Sequence, residues 1–354
     1  MPPSSCSRLP LVGVLAALVI ATAPGCAVLA GAAMPVVRWR SADMFASGDA
    51  ERSRVDIPGN LSQLRFLANL APDHAEVNVA AAQALGGYAL GFLDPVLTPG
   101  FEPPAEELAE ARKAFREGRA HGMRGLAGLP GFAAGVDGDL EVFRSAIAGA
   151  HLHDVPALFW TAYNWGQLAL LSFDDIELSA EFEKAELMMR RVEELAPGFF
   201  HGGAQAFLMV RYASRPTLLG GDPEAARAAW LRAREASGGR FLMTDVLYAQ
   251  YACVQIQDAG QFRKVLEDVL ATPPEVLPEQ RLANVLAQRR ARILLGRIAD
   301  CFDLEATEAA EDENEAGESA SPTPAPAVTP APRASVAPSG RNNVTRTPRP
   351  KNRR

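Results

Sequence analysis

The sequence predicts an all-α protein, a short α-solenoid of helix-pair repeats, and three observations carry that prediction. Between about Asp56 and Phe302 apolar residues recur at helical spacing, with little of the period-two alternation of a half-buried strand. Turn residues separate the helical patterns into pairs. From Pro156 onward the breaks return about every forty residues, inside the range of helix-pair repeats. Of the 354 residues 48% are hydrophobic and 22% charged, enough to bury a core in one large domain or two small ones.

The first element, residues 1–25, reads as a signal peptide of the lipoprotein type. No charged residue lies between Leu9 and Val37, Arg8 precedes the run, and Leu11, Val12, Val14, Leu15, Leu18, Val19 and Ile20 form an apolar centre. Pro24 and Gly25 are expected to interrupt it before it reaches the roughly 20 residues of a membrane-spanning helix. Ala23-Pro24-Gly25-Cys26 resembles a bacterial lipobox, so Cys26 is the candidate lipidation residue, although Ala23 and Pro24 replace the usual Leu and Ala. Acyl chains there would hold the protein by about 0.8 kcal/mol for each buried CH₂. A signal anchor or a simple cleaved signal is the alternative, and either exports the remainder of the chain. Residues 26–55 are expected as a linker.

The repeat domain is expected over 56–302. Phe182, Ala185, Met189 and Val192 form one helical face, Ala226, Trp230, Ala233 and Ser237 a second, and Phe262, Val265, Leu266, Val269 and Leu270 a third. Leu70-Ala71-Pro72 recurs as Leu195-Ala196-Pro197, each closing an amphipathic helix and opening one rich in small residues. Further breaks fall at Asp154–Pro156, at Gly238-Gly239 and at Leu277-Pro278. Ala80, Ala81, Ala82 and Ala84, and likewise Gly202, Gly203, Ala204 and Ala206, allow neighbouring helices to approach closely. Two loops, a Pro-rich one over 92–104 and a Gly-rich one over 126–138, make the early repeats less regular.

The last element, 303–354, is expected to be a disordered tail. Eight acids lie between Asp303 and Glu318, eight prolines between Pro322 and Pro350, and seven bases from Arg333 to Arg354. Such a composition buries too little apolar surface to offset its conformational entropy.

Asp154-Val155-Pro156-Ala157-Leu158-Phe159-Trp160 with Trp165-Gly166, Leu219-Gly220-Gly221-Asp222-Pro223, Ser237-Gly238-Gly239-Arg240, and Arg281-Leu282-Ala283-Asn284 running into Ala287-Gln288-Arg289-Arg290-Ala291 resemble, in that order, the T component associated with TRAP transporters. The resemblance spans roughly 38–302. It implies a periplasmic lipoprotein of tetratricopeptide-like helices that assembles into a trimer around a pore. It also implies a partner, a TRAP-type periplasmic solute-binding protein, and a small hydrophobic or organic-acid ligand. The long tail is a departure that the family does not need.

Candidate ligand-binding residues come from helical geometry. In the helix after Pro156, Trp160, Tyr163, Asn164, Gln167 and Leu171 share one side, while Leu158, Ala162, Trp165 and Ala169 point elsewhere as core. The helix after Gly239 carries a second stripe, Thr244, Tyr248, Tyr251 and Gln255. Aromatic surface mixed with amides is the composition of a small-molecule pocket; the alternative is packing between repeats with the polar tips hydrogen-bonded. Arg289 falls on the side of the last helix carrying Leu282, Val285, Leu286 and Ile293, where a buried guanidinium needs a carboxylate such as Asp245, or an acidic ligand.

Other chemistry finds little support. The net charge of −7 argues against a nucleic-acid partner. The four cysteines, Cys6, Cys26, Cys253 and Cys301, are too scattered for a disulfide scaffold or a zinc site. His151, His153 and Asp154 mark a helix start rather than a metal cluster, and Asp137, Asp139 and Glu141 lack the remaining ligands of a calcium loop. GxSxG, P-loop and dinucleotide fingerprints are absent, so no catalytic residue, metal or cofactor is expected. Two readings remain open at this point. One is an accessory subunit that binds or channels a small ligand for a TRAP-type system. The other is an envelope scaffold for protein–protein interaction with a filled interior; a hydrolase would need carboxylates that converge in a cleft.

Overall fold

The computed structural model describes residues 11–172 and 174–303, without the side chains of residues 11–24 and 26. The chain divides into a unit of residues 1–307 and one of 308–354; the second unit, and the expected tail from residue 304, lie outside the described residues. So does the Cys26 side chain.

Every regular element among the described residues is helical, with no strand. The order is α1 (Leu11–Ser47), α2 (Ala50–Leu70), α3 (Ala75–Tyr88), α4 (Ala105–Gly125), α5 (Phe132–Asp137), α6 (Leu140–Ala148), α7 (Val155–Leu170) and α8 (Ile176–Ala180). Next come α9 (Phe182–Leu195), α10 (Phe199–Ala213), α11 (Pro223–Ser237), α12 (Met243–Leu247), α13 (Ala259–Ala271), α14 (Arg281–Gly296) and α15 (Ile298–Cys301). Two π-helical segments extend this set: Ala89–Leu93 continues α3 and Tyr248–Cys253 continues α12.

The helices stop where the local chemistry requires it. Asp49, Asp139, Asp222 and Asp258 cap α2, α6, α11 and α13 by accepting backbone N–H bonds from the first turn. The α11 helix ends at Gly238 and Gly239, whose φ values of 61° and 70° suit glycine. Asp154 accepts the His151 backbone N–H at 2.9 Å, closing the turn that opens α7. Buried faces fall on Phe182, Ala185, Met189 and Val192 in α9, on Ala226, Trp230, Ala233 and Ser237 in α11, and on Phe262, Val265, Leu266 and Val269 in α13.

Residues 26–55 differ from the expected linker. They form the second half of α1 and the start of α2, and α1 runs through Pro24 and Gly25. Ala30 and Met34, with Val37 beside them, pack on Ala68, Ala71 and Val77. The i, i+4, i+7 spacing of Ala30, Met34 and Val37 is a helical face hidden inside a charge-free run, where it has no polar contrast to make it visible.

Each long helix packs on the next: α2 on α3, α3 on α4, α4 on α7, α7 on α9, α9 on α10, α10 on α11, and α13 on α14. The α1 helix touches α2, α3 and α14, so the first and last long helices meet. Core side chains separate into a cluster centred on α7, α9 and α10 and another spanning α10 to α14. Between them the 1–307 unit is hollow.

Candidate functional site

The hollow is a cavity of about 430 Å³. Its wall is almost wholly apolar: Met44 and Phe45 from α1, Ile57, Leu61 and Leu64 from α2, Phe159, Trp160 and Tyr163 from α7, Phe200 and Phe207 from α10, and Leu282 and Leu286 from α14. Arg38, Ala42 and Glu279 also line it and are exposed, which marks where it opens to solvent.

Trp160 sits at the centre of an aromatic group, with ring centroids 4.9 Å from Phe159, 5.6 Å from Tyr163 and 4.8 Å from Phe200. Phe200 reaches it through backbone strain: Phe200 and His201 hold φ of 48° and 58°, beside Gly202 at 80°. Left-handed conformations of this kind cost of order 1–3 kcal/mol for each non-glycine residue. Here they turn the start of α10 inward. The two π segments also face the hollow, through Leu90, Gly91 and Phe92 after α3 and Tyr251 after α12. Interruptions of this type recur at functional sites because they re-aim side chains.

Polar groups are few. Burial pushes the Tyr251 phenol up to about 12 and raises that of Tyr163 further, a Gln167 hydrogen bond opposing it, so both stay neutral donors. Gln83 and Asn60 complete the polar lining of α3 and α2.

Of the eight ligand candidates from the sequence, the cavity brings together Trp160, Tyr163, Gln167 and Tyr251. The other four are placed elsewhere. Asn164 is buried between helices, donating to Ala82 O at 3.0 Å and to Trp160 O at 2.7 Å. Gly86 and Gly118 lie against its carboxamide and make room for it. Thr244 is buried, and Tyr248 stacks on Trp230 at 4.0 Å within the α10–α14 core. The π turn explains the separation of Tyr248 from Tyr251: it holds more residues per turn than the α geometry expected from the sequence, so one stripe becomes two faces.

Arg289 is not buried. It is 45% exposed and pairs loosely with Glu51 at 3.7 Å. The buried face of α14 is Leu282, Leu286, Ala287, Arg290 and Leu294, with Val285 and Ile293 at its margin, so the buried guanidinium belongs to Arg290. Arg290 Nη1 lies 3.2 Å from Asp94 Oδ2, and its Nε donates to Gln250 Oε1 at 2.9 Å. Asp245, the expected partner, instead accepts from Trp230 Nε1 at 2.7 Å and pairs with Arg234 at 3.3 Å. Arg289, Arg290 and Asp94 border a separate recess of about 350 Å³ that shares Leu90, Gly91, Phe92, Met243 and Leu286 with the cavity.

Sequence reasoning missed Phe159, Phe200, Leu90, Phe92 and the α1 and α2 residues of the wall. Glycines on both sides of Phe199-Phe200 were the available signal for one of them.

The sequence profile of the TRAP transporter T-component family matches residues 48–302. A protein of Treponema pallidum (strain Nichols), described as an uncharacterized protein, is 26% identical over 240 residues, covering 65% of this chain and 73% of its own length. The profile takes in every helix from α2 onward, including most of the cavity wall, and the chain belongs to the TRAP transporter T-component family, an accessory component of TRAP transport.

Proposed function

We propose that this chain is a periplasmic lipoprotein, exported by residues 1–25 and anchored through Cys26, that holds a small apolar or amphipathic organic ligand and passes it to or from a TRAP-type solute-binding protein. Its helix pairs are read as a tetratricopeptide-like solenoid and its assembly as a trimer. The solenoid reading rests on the spacing of the helix pairs, and the tetratricopeptide likeness and the trimer on family resemblance. The ligand would contact Trp160, Tyr163, Gln167 and Tyr251, with Phe200 closing one side. Asn164, Thr244 and Tyr248 support that wall from behind, and Arg289 stands at a neighbouring recess. The protein acts as a carrier and not as a catalyst.

One observation supports this reading above the rest: the size and lining of the cavity. The cavity of about 430 Å³ opens to solvent, so it holds either water against an apolar wall, which forgoes about 25 cal/mol for each Å² of apolar surface left wet, or a ligand that suits the wall better. A scaffold with a filled interior would not carry this hollow.

The test is to purify the full chain natively, extract it with organic solvent and identify the carried compound, then return that compound to the delipidated protein while monitoring tryptophan emission. Ala84→Phe, which projects into the cavity, is expected to abolish uptake while the protein still melts cooperatively. A protein that carries nothing, and an Ala84→Phe variant that differs in no binding measurement, would reject the ligand reading.

A further inference from the structure

The α1 helix has two apolar faces, and only one of them is packed on the protein. At about 100° per residue, Ala30, Met34, Val37 and Ser41 form the face turned toward α2 and α3. Val28, Leu29, Ala32, Pro35, Val36 and Trp39 fall within an arc of about 120° on the opposite side. All six are exposed; Val28, Leu29, Val36 and Trp39 are 70, 65, 61 and 67% accessible. A surface helix of a water-soluble domain carries polar residues there. Trp39 is moreover the exception among the tryptophans, since Trp160, Trp165 and Trp230 are all buried.

Charge and continuity identify the surface that covers this stripe. No acid occurs from Leu9 to Ala42, and the first is Asp43. Arg40 borders the stripe on one edge, while Arg38 borders the other and pairs with Glu76. An exposed apolar strip holding a tryptophan, bordered by arginine and free of acids, suits the interface of an anionic bilayer, where tryptophan concentrates at headgroup level and basic side chains meet the lipid phosphates. The stripe also continues directly from the lipidation candidate Cys26 in the same helix.

We propose that the outward face of α1 lies along an anionic phospholipid bilayer, with Trp39 at headgroup depth and Arg40 reaching the phosphates, so that the domain is seated on the membrane instead of hanging from a flexible tether. This rests on the anchored-lipoprotein reading and deepens it. Because Ala30 and Met34 fix α1 to the body, α1 sets the orientation of the folded domain it packs on. Arg38 and Ala42, which mark the opening of the cavity, sit on the flank of the same stripe. The cavity therefore opens at the bilayer edge, where an apolar ligand moves between lipid and protein without crossing water.

The experiment uses the full chain reconstituted into phosphatidylethanolamine–phosphatidylglycerol vesicles. Flotation comes first, and a chain that does not float refutes the anchored reading and the docking together. Emission is then recorded with acyl-chain-brominated lipid and with aqueous iodide, for the parent and for Trp39→Phe, whose difference isolates Trp39. The expected result is loss of Trp39 emission to bromine and protection from iodide. Val36→Glu, at an exposed position and with an unchanged melt, should still float but return Trp39 to iodide. A chain that floats while Trp39 stays open to iodide and untouched by bromine overturns the docking alone. Protection from iodide in detergent, without a bilayer and rising with protein concentration, would assign the stripe to a second copy of the chain and also overturn it.

Discussion

Replacing Arg290 with Met should be the most damaging single change at the back of the cavity, and its cost should depend on pH. The Arg290 and Asp94 side chains are 6% and 7% exposed. Burial pushes the Asp94 carboxyl above its ordinary value, and the Arg290 guanidinium pulls it back only in part. A group raised on folding contributes fully below its unfolded pKa, and the contribution is lost as pH rises through the folded value. Arg290→Met removes the opposing pull, so ionisation at neutral pH leaves an uncompensated buried charge and an unpartnered Gln250 Oε1. Breaking such a pair costs about 3–5 kcal/mol; a central value of about 4 lowers Tm by about 12 °C for a domain of this size. Below about pH 3 the carboxyl is neutral in folded and unfolded chains alike, and the deficit should shrink toward the packing change alone. The double variant Asp94→Asn with Arg290→Met should recover most of the loss. Thermal and urea melts across this pH range are the assay. A neutral-pH deficit under about 1 kcal/mol, or one that does not vary with pH, would refute the reasoning.

Arg289→Met, one residue away, should change stability by no more than about 0.5 kcal/mol, because its Glu51 partner is 82% exposed at 3.7 Å; denaturant melts at neutral pH check this. Gly118→Ala places a methyl group on the Asn164 carboxamide, which two hydrogen bonds hold in place, and should cost about 2–3 kcal/mol in the same melts. Trp230→Phe keeps the stacking on Tyr248 but deletes the 2.7 Å donor to Asp245. It should cost about 2 kcal/mol at neutral pH and less in acid, since burial already raises the Asp245 carboxyl.

The part of the fold legible in the sequence was the part that rests on regular periodicity. The buried faces of α9, α11 and α13 were readable because charged residues stand opposite them. The breaks at Leu70-Ala71-Pro72, Leu195-Ala196-Pro197 and Gly238-Gly239 were readable because Pro and Gly cannot continue a helix. Four of the eight ligand candidates line one cavity for the same reason, Trp160, Tyr163 and Gln167 sharing a flank of α7. The rest depended on local departures from ideal geometry. A π turn divides Tyr248 from Tyr251, the left-handed Phe200 and His201 bring in a wall residue, and α14 buries Asn284, Ala287, Gln288 and Ala291 beside its leucines, which shifts the enclosed side from Arg289 to Arg290. Helix α1 was illegible for the opposite reason: both of its faces are apolar, so no contrast distinguished a packed helix from a signal sequence.

Sequence reasoning assigns Ala80, Ala81, Ala82 and Ala84 a single role, close approach between helices. Ala81 and Ala82 do that, at 1% and 0% exposure, beside Leu85. Ala80, Ala84 and Gly87 stand at i, i+4 and i+7 on the other flank of α3 and line the hollow. Gly203 and Ala206 line it on α10 and Ala283 on α14; Gly203 is small for a different reason, since a Cβ there would meet the Phe159 ring at 2.6 Å. At Ala80, Ala84, Gly87, Ala206 and Ala283 a larger side chain would face the cavity, and one of leucine size would gain about 1.5–3 kcal/mol of apolar burial. A core built only for stability would fill them. That three helices leave them small gives up packing that the backbone has room for, which fits the proposed ligand chamber better than a scaffold with a filled interior.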